Sequence, residues 1–432
     1  MSLPPESGKE MHKFLERLFP ICRSLTGDGV RQTLAILKER IPLKVYEVPT
    51  GTRVFDWTIP KEWNIRGGYI EDEKGTRIVD FKDNNLHVVG YSTPIDARVP
   101  LSELQKHLHS FEDVPDGIPY ITSYYKETWG FCMAHNKRTQ LKEGMYHVVI
   151  DSELKAGSLT YGEYILPGET KEEILISTYI CHPSMANNEL SGPVVATFLA
   201  QTLVQASHRY SYRFVFIPEA IGAITYLSRN LKEMQKRTIA GFNLTCMGDE
   251  RIYSYMPTPS GTTLADRAAR CVLSFAHPEF KTWSFLERGS DERQYCSPLV
   301  DLPVVSIMRS KYATYPEYHT SLDNTSFVTP RGLQGSLDIV VKAIELLENN
   351  YVYRATIPCE PQLGKRGLYE TDARTVNTPR TKAIANVLAY ADGTRDVVDI
   401  STIIGVAPWD LYEILDRLEE EKLIERAVRA KG

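Results

Sequence analysis

ILISTYICHPSMANNELSG, residues 174–192, joins two patterns that meet at one turn. The first seven residues are rich in apolar and β-branched side chains, which is typical of a buried strand. The apolar run that follows Gly192 has the length of a helix. His182, Asn187 and Asn188 fall between the two. Because ligands of open α/β sheets bind beyond the carboxyl ends of the strands, the stretch predicts an α/β fold with a polar site that includes His182.

Strand and helix patterns alternate through the middle of the chain. The strand patterns are Met145–Ser152, Gly157–Leu166, Tyr212–Ile217, Ile239–Thr245 and Leu302–Met308, and the helical patterns are 191–206, 221–236, 262–276 and 330–348. This alternation predicts a mostly parallel sheet with helices on both faces. We expect one α/β domain made of residues 1–42, which carry two helical patterns, and 117–350.

Three further segments have different patterns. Residues 43–116 contain short apolar alternations broken by Pro and Gly, which predict a small inserted β domain. Residues 351–380 are irregular and contain Pro, so we interpret them as a linker. Residues 381–432 carry three helical patterns and a short wing, the order of a winged-helix domain. Its third helix is acidic and would repel phosphate, so we expect a protein-docking or dimerisation module rather than a DNA-binding one.

The bulk composition excludes several classes of function. A net charge of -5 and a pI near 6.1 create no field that attracts nucleic acid or anionic membranes. Seven scattered cysteines without a C-x-x-C pair suggest reduced thiols rather than disulfides or a structural zinc cage. No apolar segment suits secretion or membrane insertion. We therefore expect a cytoplasmic protein whose partners are small molecules, peptides or other proteins, including further copies of itself.

The 174–192 stretch resembles the zinc-dependent aminopeptidase superfamily, which includes the glutaminyl cyclases. His182 matches a histidine metal ligand, and Ser191-Gly192 matches the start of the following helix. Asn188 stands where the superfamily has an aspartate that bridges two metal ions. An amide is a weaker ligand than a carboxylate for a hard divalent cation.

The resemblance continues at three later positions. Glu219 matches the general base, but Ala220 and Thr245 stand where the superfamily has glutamate and aspartate ligands. Tyr318-His319-Thr matches the terminal histidine ligand, and Ser290-Asp291 matches a carboxylate next to the ligands. The resemblance therefore implies a mononuclear zinc site that keeps His182 and His319.

The third ligand of that site is left open by the sequence. His182, His319, one oxygen ligand and a water would complete a tetrahedral zinc site. The oxygen could come from Asn188, Glu219, Glu189 or the Asp291-Glu292 pair. We take Asn188 as the ligand, Glu219 as the general base and Asp291 as a group that orients a ligand or binds a substrate amine.

Several blocks along the whole chain resemble one bacterial family of aminopeptidase-like proteins. They are Pro20-Ile-Cys-Arg-Ser-Leu-Thr-Gly, Phe55-Asp-Trp, Pro60-Lys-Glu-Trp, Thr122-Ser-Tyr-Tyr, Cys181-His-Pro-Ser-Met-Ala-Asn and Ser290-Asp-Glu-Arg-Gln-Tyr. Members of that family carry an inserted β domain and are linked to polysaccharide biosynthesis. The resemblance implies a zinc hydrolase that acts on an amide bond of a small peptide or an acylated amino sugar. The alternative is a non-catalytic binding or scaffold protein that keeps the fold and acts through its winged helix.

Overall fold

The structure is a computed structural model, and it describes residues 7–124, 126–368 and 378–427. The chain divides into two compact units. The larger unit comprises Ser2–Ala265 with Lys281–Leu337, and the smaller comprises Asp266–Phe280 with Asp338–Gly432.

The helices and strands are numbered in chain order. The α-helices of the described residues are α1 Ser7–Leu18, α2 Asp28–Lys38, α3 Leu101–Leu104, α4 His135–Arg138, α5 Ser191–Leu203, α6 Ile221–Arg237, α7 Leu264–Ala276, α8 Glu292–Tyr295, α9 Pro330–Glu348, α10 Pro379–Tyr390, α11 Val397–Ile404 and α12 Pro408–Glu420. The strands are β1 Lys44–Pro49, β2 Arg53–Val54, β3 Trp57–Thr58, β4 Glu62–Glu71, β5 Arg77–Asp80, β6 Ile95–Pro100, β7 Leu108–His109, β8 Phe131–Cys132, β9 Met145–Lys155, β10 Ser158–Leu166, β11 Glu173–Tyr179, β12 Ser211–Ile217, β13 Thr238–Leu244, β14 Ser254–Met256, β15 Lys281–Thr282, β16 Val304–Met308, β17 Val352–Ala355, β18 Asp392–Asp396 and β19 Ile424–Ala427.

An eight-stranded sheet forms the centre of the larger unit. Its order is β1-β10-β12-β11-β13-β16-β14-β15, and the four strands from β12 to β16 are parallel to their neighbours in this series. All seven residues of β11 and all seven of β12 are buried, as expected for strands covered on both faces. The predicted α/β class with a mostly parallel sheet is confirmed.

The parallel strands place the polar site. His182 follows β11, Glu219 follows β12 and Thr245 follows β13, so the three positions lie at the same edge of the sheet. A π-helical turn, Ala186–Leu190, connects the loop after β11 to α5. Such turns are uncommon in proteins, and those that occur are often found at functional sites.

The small β unit has boundaries that differ from the predicted 43–116. Its four-stranded sheet has the order β5-β4-β9-β6, and β9 lies beyond residue 116. In the opposite direction, β1 lies within 43–116 but pairs with β10 in the large sheet. The small sheet is therefore assembled from separate parts of the chain, which a contiguous segment could not describe.

The smaller unit contains a three-stranded sheet, β18-β17-β19, together with α10, α11 and α12. Strand β17 falls in the predicted linker 351–380, yet it pairs with strands on both sides. The start of that segment is therefore a central strand rather than a linker. Residues 369–377 of the predicted linker and the last five residues of the predicted winged-helix domain lie outside the described residues.

Two other expectations concern the state of the cysteines and the presence of membrane-spanning helices. All seven cysteines are free; Cys22 is half-buried, Cys359 is exposed and the other five are buried. Across the described ranges, we find no helix with the length and apolar character needed to cross a bilayer.

Candidate functional site

Two histidines face each other at the carboxyl edge of the parallel strands. The ring centres of His182 and His319 are 5.3 Å apart, and the ring of Tyr120 contacts both, at 4.9 and 5.1 Å. Two imidazoles that bind one tetrahedral zinc ion, with Zn–N distances of about 2.0–2.1 Å, have ring centres about 5 Å apart. The spacing of this pair fits a shared ion.

A buried carboxylate sets the orientation of His182. Glu189 Oε2 lies 3.0 Å from His182 Nδ1 and also accepts the main-chain N–H groups of His182 and Cys181, the latter at 2.8 Å. Arg23 Nε donates to Glu189 Oε1 at 2.5 Å, and both side chains are fully buried. Because Nδ1 faces Glu189, the other nitrogen, Nε2, is directed to the site, where it lies 3.9 Å from Glu219 Oε2. Carboxylates fix metal-binding histidines in this way.

His319 has a buried nitrogen without a partner. Its Nε2 is shielded from solvent and forms no hydrogen bond within the described part of the chain. Burial and the neighbouring His182 hold the pKa of His319 well below its ordinary value, so the ring is neutral. The ring stacks on Tyr318 at 3.9 Å. A neutral imidazole with a free, buried nitrogen is the form that binds a metal ion.

Asn188, the predicted oxygen ligand, is buried and held by its neighbours. Its side-chain Oδ1 accepts the hydroxyl of Tyr179 at 3.2 Å, and its main-chain carbonyl accepts the same hydroxyl at 2.5 Å. Its Nδ2 has no acceptor among the described residues. Thr245, which stands at a superfamily ligand position, is bonded to the same Tyr179 hydroxyl at 2.5 Å. The role of Asn188 as a metal ligand stays a prediction.

Glu219 and Asp291 form a second polar pair beside His182. Burial raises the pKa of Glu219, although His182 and Arg293 act in the opposite direction. Burial and the charge of Glu219 raise the pKa of Asp291 well above its ordinary value. Asp291 Oδ1 accepts the main-chain N–H of Ala220 at 2.8 Å, while Oδ2 is buried with no partner in the described ranges. Both carboxyls are therefore protonated more easily than isolated ones.

The main chain at Ala220 is strained. Its φ is 60° and its ψ is -77°, and the N–H of Ile221 donates to the carbonyl of Glu219 at 2.8 Å. This is the rare form of γ-turn, which a residue with a Cβ adopts at a cost of about 1–3 kcal/mol. Strained residues of this kind cluster at functional sites. The turn places Glu219 at the entrance to α6.

Glu292, considered as one source of the oxygen ligand, is fully engaged. Its Oε1 accepts the N–H groups of Gly289 and Ser290 and the hydroxyl of Tyr312, at 2.9, 3.0 and 2.6 Å. Its Oε2 accepts from Asn243 and Ser306 at 3.1 and 3.0 Å. A carboxylate with this many donors shapes the loop and has little capacity left for an ion.

Two features of the site were not found from the sequence. Arg23 was part of a family block, but nothing local indicated that it reaches Glu189. Asp323 was assigned no role from the sequence, yet its carboxylate accepts the main-chain N–H groups of Asn187 and Asn188 at 2.6 and 2.8 Å. Burial raises the pKa of Asp323 to about 6.

A second group of ligand-type atoms lies close to the histidine pair. The described residues with such atoms within mutual reach are Cys181, His182 and Glu189. Arg23 and the main chain already occupy the oxygens of Glu189, so a cation there would compete with a buried guanidinium. The fit is better at the other nitrogen of His182, because Nε2 lies 3.9 Å from Glu219 Oε2 and the ring of His319 lies close to that of His182.

The chain is similar along most of its length to known proteins. A domain of unknown function (DUF4910) matches residues 12–350, and a winged helix-turn-helix family matches residues 351–426. A protein of Clostridium acetobutylicum, provisionally named as a polysaccharide biosynthesis protein with an aminopeptidase-like domain, is 47% identical over 92% of this chain and 91% of its own.

Solved structures agree with these matches. A crystal structure from Clostridium acetobutylicum, provisionally described as a peptidase, has a TM-score of 0.92 at 44% identity and covers 98% of this chain and 97% of its own. A zinc aminopeptidase from Bacillus subtilis has the same fold, with a TM-score of 0.58 at 12% identity over 80% of this chain and 96% of its own. The chain therefore belongs to the DUF4910 family of aminopeptidase-like fold, with a winged helix-turn-helix at its C-terminal end.

Proposed function

We propose that the protein is a zinc-dependent hydrolase that cleaves an amide bond in a small peptide or an acylated amino sugar. The observation that carries this proposal is the histidine pair. His319 presents a buried nitrogen that has no hydrogen-bond partner among the described residues, and it lies beside His182, whose Nδ1 is held by Glu189. The name of the Clostridium relative supports a role in polysaccharide biosynthesis.

Each residue of the site would have a separate role in hydrolysis. His182 and His319 would hold one zinc ion through their Nε2 atoms, with Asn188 as the predicted oxygen ligand. When bound, the ion would polarise a carbonyl and acidify a water. Glu219, whose pKa is raised by burial, accepts the proton of the attacking water and returns it to the leaving amine. Asp291, next to Glu219, orients it or binds the substrate amine.

A second candidate function has a specific observation in its favour. Ala220 has no ligand atom, Thr245 is bonded to Tyr179, and the oxygen of Asn188 accepts the same hydroxyl. The chain thus lacks the carboxylates of a two-metal site at these three positions. A non-catalytic binding protein with this fold would be consistent with that loss.

The remaining expectations complete the proposal. We infer that the protein works in the cytoplasm and binds neither nucleic acid nor membranes. The acidic third helix of the winged-helix domain, α12, favours docking to a protein or to a second copy of the chain over DNA binding.

Elemental analysis of the purified protein tests the proposal. We expect about one zinc per chain in the wild type, and loss of that zinc in His182→Ala and in His319→Ala. His135→Ala, at the start of α4, is the matched control and should retain the metal. If the wild type holds no metal even after incubation with zinc, the hydrolase is refuted and the binding protein is favoured.

If zinc is bound, activity on aminoacyl and N-acyl substrates separates the two functions. Glu219→Gln should keep the metal and lose turnover by about a hundredfold or more, since general bases contribute about 10²–10⁴-fold. A zinc-bound wild type that cleaves none of these substrates would favour the binding protein.

A further inference from the structure

Two lysines flank one indole beside the candidate site. Lys281 Nζ lies 3.6 Å from the ring centre of Trp283, and Lys311 Nζ lies 5.1 Å from the same centre. Lys311 is also 4.4 Å from the ring centre of Tyr312. In the residues described, neither lysine has a carboxylate within ion-pair distance. Like charges repel, so an anion bound between or beside the two ammonium groups would be favoured.

Lys311 is the more unusual of the two. Only 5% of the residue is exposed, and its Nζ donates one hydrogen bond, to the carbonyl of Tyr312 at 3.2 Å. An ammonium has three donors, so two have no conventional acceptor in the described chain. Burial lowers the pKa of Lys311, and Lys281 acts in the same direction, against Glu287 and Glu292. A buried ammonium group without a directly bonded carboxylate is costly, and residues of this kind are concentrated at functional sites.

Trp283 provides a second, independent sign of a missing acceptor. Its indole N–H is buried and has no hydrogen-bond partner in the ranges that the structure covers. Buried indole N–H groups usually find an acceptor. Two N–H groups of Lys311 and the indole N–H of Trp283 therefore have no acceptor among the described residues, and an anion would provide one.

The two rings near the lysines and the ring that stacks on His319 belong to one aromatic cluster. The cluster is built on Cys246, Met256, Met308, Tyr312 and Tyr315, and the side chains that pack against it are Trp283, Tyr318 and Phe327. Tyr318 stacks on His319, and Cys246 lies 3.9 Å from Asn188 Oδ1. The same cluster therefore contacts the lysines through Trp283 and Tyr312, and the candidate metal site through Tyr318 and Cys246.

We propose that Lys281, Lys311 and the indole N–H of Trp283 bind a negatively charged group, a carboxylate or a phosphate, of the molecule that reaches the histidine pair. That this molecule is a hydrolase substrate rests on the proposed function; the anion site itself does not. The charged group would then contact the aromatic cluster whose Tyr318 stacks on His319. The substrate is then an acidic amide, such as a peptide with a free carboxylate or a phosphorylated acyl amino sugar.

Isothermal titration calorimetry on the full-length protein tests the anion site. Two probes, sodium phosphate and sodium N-acetylglycinate, are titrated into protein as purified and into chelator-treated protein. We expect at least one probe to bind both preparations. Binding only of phosphate identifies a phosphate site, and binding only of N-acetylglycinate identifies a carboxylate site. Because the chelator-treated protein must still bind, the failure of the zinc proposal would leave this result intact.

Variants assign the binding to these residues. Lys311→Met should weaken the affinity at least tenfold, and Trp283→Phe, which keeps a ring and removes the N–H, about three- to tenfold. Lys171→Met, at an exposed lysine of a surface loop, should bind like the wild type. The melting temperature of Lys311→Met without anion should equal or exceed that of the wild type, whereas a structural cation would lower it. If Lys311→Met does not fold, Lys281→Met, at an exposed lysine, provides the same affinity test.

Three results would overturn the proposal. The first is that neither probe binds the wild type. The second is that binding disappears with the chelator, which would mark the anion as adventitious or as bound to a metal ion, and the third is that the lysine variants bind as tightly as the wild type.

Discussion

Replacing Glu189 with Gln should destabilise the larger unit strongly, because it leaves a buried guanidinium without its counter-charge. Arg23 and Glu189 are both fully buried, and Arg23 Nη2 already lacks an acceptor in the described residues. The other nitrogens of Arg23 donate to main-chain carbonyls of Leu18 and His182, at 2.8 and 3.0 Å, which cannot neutralise the charge. Breaking a buried pair from one side costs about 3–5 kcal/mol. We expect a loss of this size in the free energy of unfolding, measured by urea denaturation.

A double variant separates the charge from the packing. Arg23→Met with Glu189→Gln removes both charges, so it should recover much of the loss, since replacing both partners of a buried pair is often nearly neutral. Glu39→Gln is the matched control, because Glu39 pairs with Arg17 on the surface with about half of each side chain exposed. It should cause little change. If Glu189→Gln costs no more than Glu39→Gln, the buried pair does not hold the site and the argument is refuted.

Three further changes have outcomes that follow from the structure. The pKa of His319 is held well below its ordinary value, so the unfolded chain binds a proton below about pH 6.5 that the folded chain rejects. The neutral His319 therefore contributes to stability above that pH, and this contribution is lost as the pH decreases. In metal-free protein, His319→Asn should reduce the decrease in unfolding free energy between pH 7 and pH 5. An unchanged decrease would contradict this. Ala220→Gly should raise the unfolding free energy by about 1 kcal/mol, because glycine adopts a φ of 60° without strain, and a lower value in the same urea assay would argue against the strained turn. Asp396 is buried and accepts from Arg267 Nη1, Asn350 and the N–H of Asp399 at 2.9, 3.0 and 3.1 Å, so Asp396→Asn should lower the unfolding free energy by about 2–4 kcal/mol. Asp399→Asn, at the more exposed partner of Arg267, should cost clearly less in the same assay, and equal losses would contradict the difference in burial.

Local patterns in the sequence were enough to predict the central sheet. The strands after which His182, Glu219 and Thr245 stand are short, apolar and separated by helical patterns, and this signal depends only on neighbouring residues. The small sheet was harder to predict because β9 pairs with β4 and β6 across long loops. Strand β17 was missed for the same reason, since its partners β18 and β19 lie about forty and seventy residues later in the chain.

The site was predicted in part. His182 was expected beyond the end of a strand, and the resemblance to the zinc aminopeptidases placed Glu219 and Asp291 in the same site. The structure brings the three together with His319. The contact of Arg23 with Glu189 could not be predicted, because a pairing across 166 residues leaves no periodic signal. Glu292 was considered as a ligand since its type and position fit, but the sequence does not indicate that five donors already surround it.

The distribution of the thiols has a practical consequence for labelling. Cys359 is exposed, while burial raises the pKa of the half-buried Cys22 to about 12 and those of the buried Cys181 and Cys246 above their ordinary range. Thiol reagents attack the thiolate, so a maleimide dye added to the native protein should attach at Cys359, in the smaller unit. A single fluorophore at that position, with no engineered cysteine, would test by anisotropy whether the winged helix binds a protein partner.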